Sequence, residues 1–428
     1  MAIDKESAAS PNLHGRNHVR TLTHVFSDGR TLAVMLTAVL FVLLLSTYHP
    51  ETFTFYHYPM RTHISAQEAK IGHEDEVCNL SNGTWVRDFG GPIYTNITCP
   101  TMPDSKNCGK YGKKMDYVQW KWVPYGCDMV RFEPQLFLNI VRGKTLAFAA
   151  DSVGRNQMES LLCLLSQVET PKKVYGDTQD KFVTWHFRSH NFTLMALWTK
   201  FLVEASEIEV NGTVAAMHAI HLDKLDARLA ANLHKINILV ISSSRWFFMQ
   251  NYLYEGGKLI GCIYCSEDNI TNFDVVTAIQ RAFRTALNNL TNNQESELKL
   301  TLVRTTTPVH FENGTWNTGG HCERTEPVGK GEAMIGTVDW AIRDAQIEEV
   351  NRVQKESIHN GRMDIEIVDV TNAMSMRPDA HPGIHWVRKW TKGYNDCTHW
   401  CLPGPIDMWN ELLLSVLKKY EKGLHNHH

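Results

Sequence analysis

Short apolar runs alternate with helical patterns along the chain after residue 140. Four of these runs have the length and the Val, Ile, Leu or Phe content of buried strands: residues 144–150, 237–242, 298–305 and 363–370. Stretches with apolar residues at helical spacing follow them: residues 153–167, 272–290, 331–358 and 406–420. Strand–helix alternation is typical of crossover connections, so the pattern predicts an α/β fold with a mainly parallel sheet and helices on both faces.

A longer apolar run, TLAVMLTAVLFVLLLSTY at residues 31–48, carries no charge. As a helix it would be about 27 Å long, enough for a thin bilayer such as that of the early secretory pathway. A cleaved signal peptide is the alternative, but the run starts far from the N-terminus, and STYHPETF at its end is a poor cleavage site. Four Lys or Arg residues precede the run and two follow it within about twenty residues, which predicts a cytosolic N-terminus.

Cysteines and N-glycosylation sequons occur only on the C-terminal side of this run. The ten cysteines are Cys78, Cys99, Cys108, Cys127, Cys163, Cys262, Cys265, Cys322, Cys397 and Cys401. The eight candidate glycosylation sites are Asn79, Asn82, Asn96, Asn191, Asn211, Asn269, Asn289 and Asn313. Such a sequence is typical of an oxidising lumen, so we expect a single-pass type II membrane protein whose C-terminal part is luminal.

Composition divides the chain into segments of different character. Residues 1–30 are predicted to be a cytosolic tail, 31–48 the membrane anchor, 49–75 a polar stem, 76–135 a module rich in Cys and Trp, and 136–422 the α/β domain. The net charge of −3 lacks the basic excess that phosphate binding needs, which argues against nucleic acid as a partner.

Asp151 and Ser152 come at the end of the first predicted strand, where a helix begins at once. A serine in this position is exposed at the edge of the sheet with the N–H groups of the helix N-terminus behind it, as an acyl-transfer nucleophile requires. The alternative is that Ser152 only caps the helix, which is a common role of serine. This motif alone leaves both interpretations open.

Asp396 and His399 lie in the loop before the last predicted helix. Residues i and i+3 can meet across one turn, so Asp396 could accept the Nδ1–H of His399 and leave Nε2 to take a proton from a serine. A chance pairing in a chain with 21 histidines is the alternative. The two motifs together, at the two ends of an alternating α/β segment, favour a triad of Ser152, His399 and Asp396.

Five stretches carry a resemblance to a known family: GTWVRDFGGPIYTNITC, DYVQWKWVPYGCDMVRFEP, AFAADSVGRNQMESLLCLL, HFENGTWNTGGHCERTEP and YNDCTHWCLPGPIDMWNELLL. Over residues 75–422 the chain resembles the plant trichome-birefringence-like proteins, which are Golgi polysaccharide O-acetyltransferases with a GDSL-type serine-esterase fold. NQMESLLCLL, GCIYC and DCTHWCLPGPIDMWNE are most similar to the xyloglucan-acetylating branch. The resemblance implies that Ser152 is the nucleophile, that Asp396 and His399 complete the triad, and that the acceptor is xyloglucan side-chain galactose.

The resemblance also implies a disulfide framework, whereas the cysteine spacing by itself leaves the pairing open. The implied links are Cys78–Cys127, Cys99–Cys163, and bonds from Cys108 and Cys322 to the loop cysteines Cys397 and Cys401. A zinc site at Cys262 and Cys265 is an alternative for that pair, but it lacks a second pair of ligands, so no metal site is predicted.

The chain departs from the family at two motifs. Gly-Asp-Ser becomes ADS at residues 150–152, and Gly-His-Trp or Gly-Gln-Trp becomes SRW at residues 244–246. Glycine next to a nucleophile lets backbone approach closely, so we expect Ala150 to tighten the strand end without removing the serine.

Two sets of residues are weaker candidates for binding. Asn156 and Arg155 fall in the first helical turn after the serine and are candidates for the oxyanion, unless they only pin the helix to its neighbours. Trp122, Trp185 and Trp246 belong to aromatic clusters that would suit the apolar faces of a sugar. The alternative for these tryptophans is a position in the core.

The resemblance implies a double displacement, in which Ser152 takes an acetyl group from a donor and a sugar hydroxyl removes it. No phosphate-binding loop such as G-x-x-x-x-G-K is placed to hold coenzyme A, so no bound cofactor is predicted, and the donor stays open between acetyl-CoA and an acetylated carrier. The expected partners are a polysaccharide acceptor and the donor, or a membrane protein that delivers it. A deacetylase with the same triad and a non-catalytic binder of wall polysaccharide are the alternatives.

Overall fold

The computed structural model describes residues 78–426, apart from residues 211–212, 294–295, 334–336, 358–362 and 387–393. The predicted cytosolic tail, membrane anchor and stem lie outside the described residues. No helix in the described part of the chain is long and apolar enough to cross a bilayer.

The strands of the described residues form three sheets. They are β1 (Gly83–Arg87), β2 (Trp120–Pro124), β3 (Thr145–Ala150), β4 (Lys172–Gly176), β5 (Phe182–Phe187), β6 (Phe192–Trp198), β7 (Val203–Val210), β8 (Thr213–Leu225), β9 (Ile238–Ser242), β10 (Asn251–Glu255), β11 (Lys258–Ile263), β12 (Leu300–Arg304) and β13 (Asp364–Val368). The central sheet has the order β13-β12-β9-β3-β6-β5-β4, a second sheet has the order β11-β10-β8-β7, and β1 pairs with β2. In the central sheet the strands from β13 to β6 are parallel, and β5 and β4 extend it in antiparallel pairs.

Helices connect these strands. In the described part of the chain they are α1 (Pro134–Ile140), α2 (Ser152–Leu165), α3 (Ala227–Asn232), α4 (Val275–Asn292), α5 (Val338–Ser357), α6 (Thr371–Ser375) and α7 (Asp407–Asn426). The longer helices bury one face; on α4, which Asp274 caps, Ala278, Ala282 and Ala286 are buried at four-residue spacing.

β3 is apolar on both faces, and its side chains belong to two layers of the core. On β3, Leu146 and Phe148 belong to the cluster that includes residues of α2 and α7. Ala147 and Ala149 belong to the cluster that includes residues of α4 and α5. Because successive side chains of a strand point to opposite faces, helices cover the central sheet on both sides. The predicted α/β class is confirmed.

Residues 172–263 contain most of what the apolar pattern failed to predict. The predicted strands correspond to β3, β9, β12 and β13, which pair in parallel. β3, β9 and β12 are buried on both faces and read as mainly apolar runs, whereas β13, at the edge of the sheet, mixes buried and more exposed residues. By contrast, every residue of β4 is exposed, and β5 mixes buried and partly exposed residues. Strands with a solvent face lack a continuous apolar run, so the sequence predicted neither this antiparallel extension nor the second sheet.

The Cys- and Trp-rich module packs directly on the α/β core. Trp85 and Tyr117 belong to the same apolar cluster as α2 and α7. The indole N–H of Trp85 donates to the carbonyl of Ala373 at 2.8 Å. The guanidinium of the fully buried Arg377 lies 4.4 Å from the Trp85 ring centre, pairs with Asp379 and donates to the Tyr117 carbonyl. The module and the sheet therefore share one interior.

Disulfides join the described cysteines in five pairs: Cys78–Cys127, Cys99–Cys163, Cys108–Cys401, Cys262–Cys265 and Cys322–Cys397. The first two are the pairs that the resemblance implies. The structure also decides which partner each loop cysteine takes, because Cys401 bonds to Cys108 and Cys397 bonds to Cys322. Cys262 and Cys265 bond to each other, which removes the zinc alternative for that pair.

Candidate active site

Ser152 is the first residue of α2, directly after the end of β3 and Asp151. Asp151 caps the helix, because its Oδ1 accepts the backbone N–H groups of Val153 and Gly154 at 3.0 and 3.3 Å. Ser152 is partly exposed, and its hydroxyl has no hydrogen-bond partner among the described residues. The interpretation of Ser152 as the cap is therefore wrong, and its hydroxyl is available for chemistry.

The cap also reduces the number of donors behind the serine. The sequence suggested several free N–H groups there, but the carboxylate of Asp151 occupies those of Val153 and Gly154. The carbonyl of Asp151 accepts the N–H of Arg155 at 3.0 Å. In the described first turn this leaves the backbone N–H of Ser152 as the donor that can bind an oxyanion.

Ala150, where the resembled family has glycine, fits against a glycine in the helix. A Cβ placed on Gly154 would lie 2.2 Å from the Cβ of Ala150, which is too close for two non-bonded carbon atoms. The methyl group of Ala150 thus occupies space that Gly154 leaves free. That Ala150 tightens the strand end stays a prediction, and the absence of a side chain at Gly154 is what makes room for its methyl group.

Asp396 and His399 have the geometry of an orienting carboxylate and a base. His399 Nδ1 lies 2.9 Å from Asp396 Oδ2 and 3.0 Å from Oδ1, and the backbone N–H of His399 donates to Oδ1 at 2.9 Å. Burial by itself raises the pKa of Asp396, but the charge on His399, the Lys106 ammonium and the hydrogen bonds from His399 outweigh it and hold the pKa well below its usual range. An ionised Asp396 fixes Nδ1 as the donor and leaves Nε2 as the base.

Asn156 ties this loop to the helix of the serine. Its Oδ1 accepts the backbone N–H of Trp400, which follows His399, at 2.8 Å. Since Asn156 lies one turn after Ser152, this bond brings the base to the same end of the sheet as the serine. Neither the Ser152 hydroxyl nor His399 Nε2 has a partner within the described residues, an arrangement common in free enzymes before substrate tightens the bond between them.

The two oxyanion candidates have different surroundings. The Nδ2 of Asn156 is buried without a partner in the described residues, so its role in binding an oxyanion stays a prediction. The guanidinium of Arg155 is engaged by Glu159 and by the carbonyl of Asp180. These contacts favour the alternative for Arg155, in which it pins the helix to its neighbours.

Two buried histidines support the loop from behind. His381 Nδ1 donates to the carbonyl of His399 at 2.7 Å, and His310 Nδ1 lies 2.7 Å from His381 Nε2. The ring of Trp400 covers His381, with ring centres 4.1 Å apart. Burial lowers the pKa of His381 well below its usual value and that of His310 to about 4, so both rings are neutral near pH 7.

The tryptophans predicted to bind sugar occupy unlike positions. Trp122 is 3% exposed and its indole N–H donates to the carbonyl of Leu80 at 2.8 Å, so the predicted sugar contact is wrong and Trp122 is a core residue of the module. Trp185, on β5, is partly buried against the core.

Trp246 lies at the carboxyl edge of the central sheet. Its ring centre is 6.4 Å from that of Trp198 and 4.3 Å from Lys200 Nζ. Trp198 in turn pairs in register with Ala150, the residue at the end of β3. Of the three candidates, Trp246 is therefore the one that the fold places near the strand end before the serine, and its contact with a sugar stays a prediction.

Comparison with known proteins identifies the family. Residues 129–416 match the profile of PC-esterase, the GDSL/SGNH-like acyl-esterase family found in Pmr5 and Cas1p, and residues 76–128 match the PMR5 N-terminal domain. The chain belongs to this acyl-esterase family. It is 47% identical to xyloglucan O-acetyltransferase 4 of Populus trichocarpa, over 91% of this chain and 92% of that protein.

Two other similar proteins carry related names. Xyloglucan O-acetyltransferase 2 of Arabidopsis thaliana is 43% identical over 81% of this chain and 84% of its own length. Protein trichome birefringence-like 25 of the same plant is 37% identical over 81% of this chain and 78% of its own length. The resemblance inferred from the motifs is confirmed.

The structure accounts for the SRW motif at residues 244–246 of this family member. The Ser244 hydroxyl lies 2.8 Å from the hydroxyl of Thr306, and the Ser244 N–H donates to Asp151 Oδ2 at 3.4 Å. Arg245 forms an ion pair with Asp339. Both departures from the family motif are thus matched by partners in this chain.

Sequence reasoning missed three residues at this acyl-esterase site: Lys106, His381 and Trp198. Lys106 lies in a polar loop without periodicity, and only its position two residues before Cys108 hinted at the loop of His399. The two others lie in segments that carry no motif for acyl transfer. Contacts made across the fold bring all three to the site.

Proposed function

We propose that this chain transfers acetyl groups to hydroxyls of xyloglucan by double displacement on Ser152. The observation that carries the proposal is the pairing of His399 with an ionised Asp396, on a loop that Asn156 ties to the helix beginning at Ser152. Membership of an acyl-esterase family supports the chemistry, and the names of the relatives support the acceptor.

In the first half of the reaction, Ser152 Oγ attacks the carbonyl carbon of the acetyl donor while His399 Nε2 takes the hydroxyl proton. The negative charge on the carbonyl oxygen is met by the backbone N–H of Ser152. When the tetrahedral intermediate collapses, the bond to the leaving group breaks, and that group receives the proton from His399. Asp396 stabilises the transient charge on the imidazole.

In the second half, a sugar hydroxyl replaces the leaving group. His399 takes the hydroxyl proton as the sugar oxygen attacks the acetyl-serine, and Ser152 leaves with that proton. Trp246, at the sheet edge before the serine, is the ring that would stack on the acceptor, with side-chain galactose as the acetylated sugar. The donor is acetyl-CoA or an acetylated carrier, delivered directly or by a membrane protein.

The test uses the full chain, purified in detergent from a host with a secretory pathway. The protein is incubated with p-nitrophenyl acetate and a xyloglucan oligosaccharide, and both protein and sugar are weighed by mass spectrometry. We expect an acetyl group on the peptide containing Ser152 and then on the sugar, and neither with Ser152→Ala. Acetyl-enzyme that only hydrolyses would indicate the deacetylase, and a protein that binds the sugar but never becomes acetylated would indicate a non-catalytic binder.

We also propose that the chain is anchored in the Golgi membrane by residues 31–48, with the acyl-esterase domain in the lumen. The one-sided cysteines and sequons support this topology. All seven sequon asparagines whose burial is described are exposed: Asn79, Asn82, Asn96, Asn191, Asn269, Asn289 and Asn313. Protease added to sealed vesicles should spare the domain, and digestion of the domain there would refute the topology.

A further inference from the structure

Lys106 reaches the triad although it belongs to the Cys- and Trp-rich module. Its Nζ lies 3.4 Å from Asp396 Oδ2, and both side chains are 10% exposed. Lys106 falls within the matched N-terminal domain, residues 76–128, whereas Asp396 falls within the acyl-esterase match, residues 129–416. The N-terminal domain therefore places a buried charge on the orienting carboxylate of the other domain.

Two bonds at and just after Lys106 hold this segment against the loop. The carbonyl of Lys106 accepts the backbone N–H of Leu402 at 2.8 Å, and Cys108, two residues later, is bonded to Cys401. A buried ammonium is stable only next to an anion. In the described part of the chain Asp396 is the carboxylate with which Lys106 forms an ion pair. The position of this charge is thus set by the backbone as well as by the side chain.

We infer that Lys106 is a positioning residue that sets, through Asp396, the pH range over which His399 acts as a base. The inference rests on the proposed function of Asp396 and His399. Asp396 Oδ2 is shared between His399 Nδ1 at 2.9 Å and Lys106 Nζ at 3.4 Å. When His399 takes up a proton, two cations share one carboxylate and repel each other. Lys106 therefore disfavours the resting imidazolium and keeps His399 able to accept the serine proton at a lower pH.

The other titratable groups around the loop do not take this role. Burial lowers the pKa of His310 to about 4 and that of His381 well below its usual value, so both stay neutral where His399 works. Burial also lowers the pKa of Lys113, and the charge of Asp379 partly opposes this shift. Asp379 is itself neutralised by the buried Arg377. Among the lysines and arginines that the structure describes, Lys106 is the one that forms an ion pair with the triad carboxylate.

The test measures how fast a fluorophosphonate labels Ser152 as a function of pH, because this reaction needs His399 as a base but no acetyl donor. The full chain is compared with Lys106→Met, Lys106→Arg and Lys110→Met. Removal of the Lys106 charge should move the midpoint of the acid limb up by about one pH unit, and labelling below that midpoint should fall about tenfold. Lys106→Arg, which keeps the charge, should retain the wild-type midpoint.

Lys110→Met is the matched control, since Lys110 is an exposed lysine of the same module that pairs with Asp104, and its profile should not change. A folded Lys106→Met protein with the wild-type midpoint would overturn the inference. Should that variant lose its cooperative melting transition, Lys106→Gln is judged by the same midpoint, and failure of both to fold would show that the lysine is only structural. If the wild-type protein is not labelled at Ser152, the proposed function fails instead.

Discussion

The helix N-terminus that presents Ser152 and the loop that carries Asp396 and His399 are held by different kinds of contact. Ser152 follows a strand that is buried on both faces, and its neighbour Asp151 caps the helix, so residues close in sequence place the hydroxyl. The described residues from 394 to 406 contain no helix and no strand. Partners distant in sequence order this loop: Lys106, Cys108, Asn156, Cys322 and His381.

This difference follows from how each half of the site offsets the entropy that is lost when its backbone is ordered. Ordering a residue costs about 1–2 kcal/mol of backbone entropy, and regular elements offset it with hydrogen bonds of their own. The described loop has no helical hydrogen bonds or strand ladder of its own, so hydrogen bonds to distant residues and disulfides spanning 75 and 293 residues hold it. A nucleophile can therefore be built locally, whereas this base depends on long-range links.

Removal of the reacting groups should give the largest effect. Asp396→Asn keeps the shape of the side chain but favours the wrong imidazole tautomer, so we expect acetyl transfer to fall about 10⁴-fold. Ser152→Ala and His399→Ala should each remove nearly all transfer, and the double variant should be no worse than either single one because the residues act as a unit. Initial rates on xyloglucan oligosaccharides measure this, and substantial activity in Ser152→Ala would refute the assignment.

Loss of one loop disulfide tests whether the loop of Asp396 and His399 depends on long-range links while the helix of Ser152 does not. The variant Cys322→Ser/Cys397→Ser frees the residue next to Asp396, and a displacement of about 1 Å at a catalytic group costs roughly 100-fold in rate. Cys262→Ser/Cys265→Ser is the matched control, because that bond spans only three residues outside the loop. We expect transfer to fall only in the first variant while far-ultraviolet circular dichroism stays unchanged in both. An equal loss of acetyl transfer in the two variants would contradict the idea that the loop of Asp396 and His399 depends on its own disulfides.

Acid should destabilise the part of the protein that contains His310, behind the loop of Asp396 and His399, before it affects the helix of Ser152. Burial depresses the pKa of His310 in the folded state to about 4, from 6.5, so the unfolded chain binds more protons between these values. Stability is then fully present above pH 6.5 and is lost as pH falls toward 4, by roughly 3 kcal/mol in total.

Urea unfolding at several pH values should show this decline in the wild type. His310→Gln removes one titrating ring and should make the decline shallower, since the buried His381 remains, whereas His234→Gln, which changes an exposed histidine, should keep the wild-type slope. An unchanged slope in His310→Gln would refute the assignment of the acid sensitivity to this ring.

The contact between Ala150 and Gly154 should give the smallest effect. Gly154→Ala alone forces the new methyl against that of Ala150 and should cost about 1–2 kcal/mol of unfolding free energy. Ala150→Gly alone should change activity little, and adding it to Gly154→Ala should restore much of the lost stability. A double-mutant cycle by thermal melting measures the coupling, and simple additivity of the two changes would show that the methyl groups do not compete.

Many features of the fold were predictable from local patterns. The parallel strands β3, β9 and β12 are mainly apolar runs, because they are covered on both faces, and the long helices repeat apolar residues at helical spacing. The antiparallel strands of residues 172–263 were not predictable in this way, since their exposed faces interrupt the pattern. At the site, Asp396 and His399 were predictable because their contact spans one turn.

The sequence by itself determined the α/β class, the position of Ser152 at a strand–helix junction and the pairing of Asp396 with His399, because each depends on residues within a few positions of one another. Only the tertiary structure decided the partners of Cys397 and Cys401, the core position of Trp122 and the contact of Lys106 with Asp396. These features join segments up to 293 residues apart, and such contacts exist only once the sheet, the module and the loop have packed together.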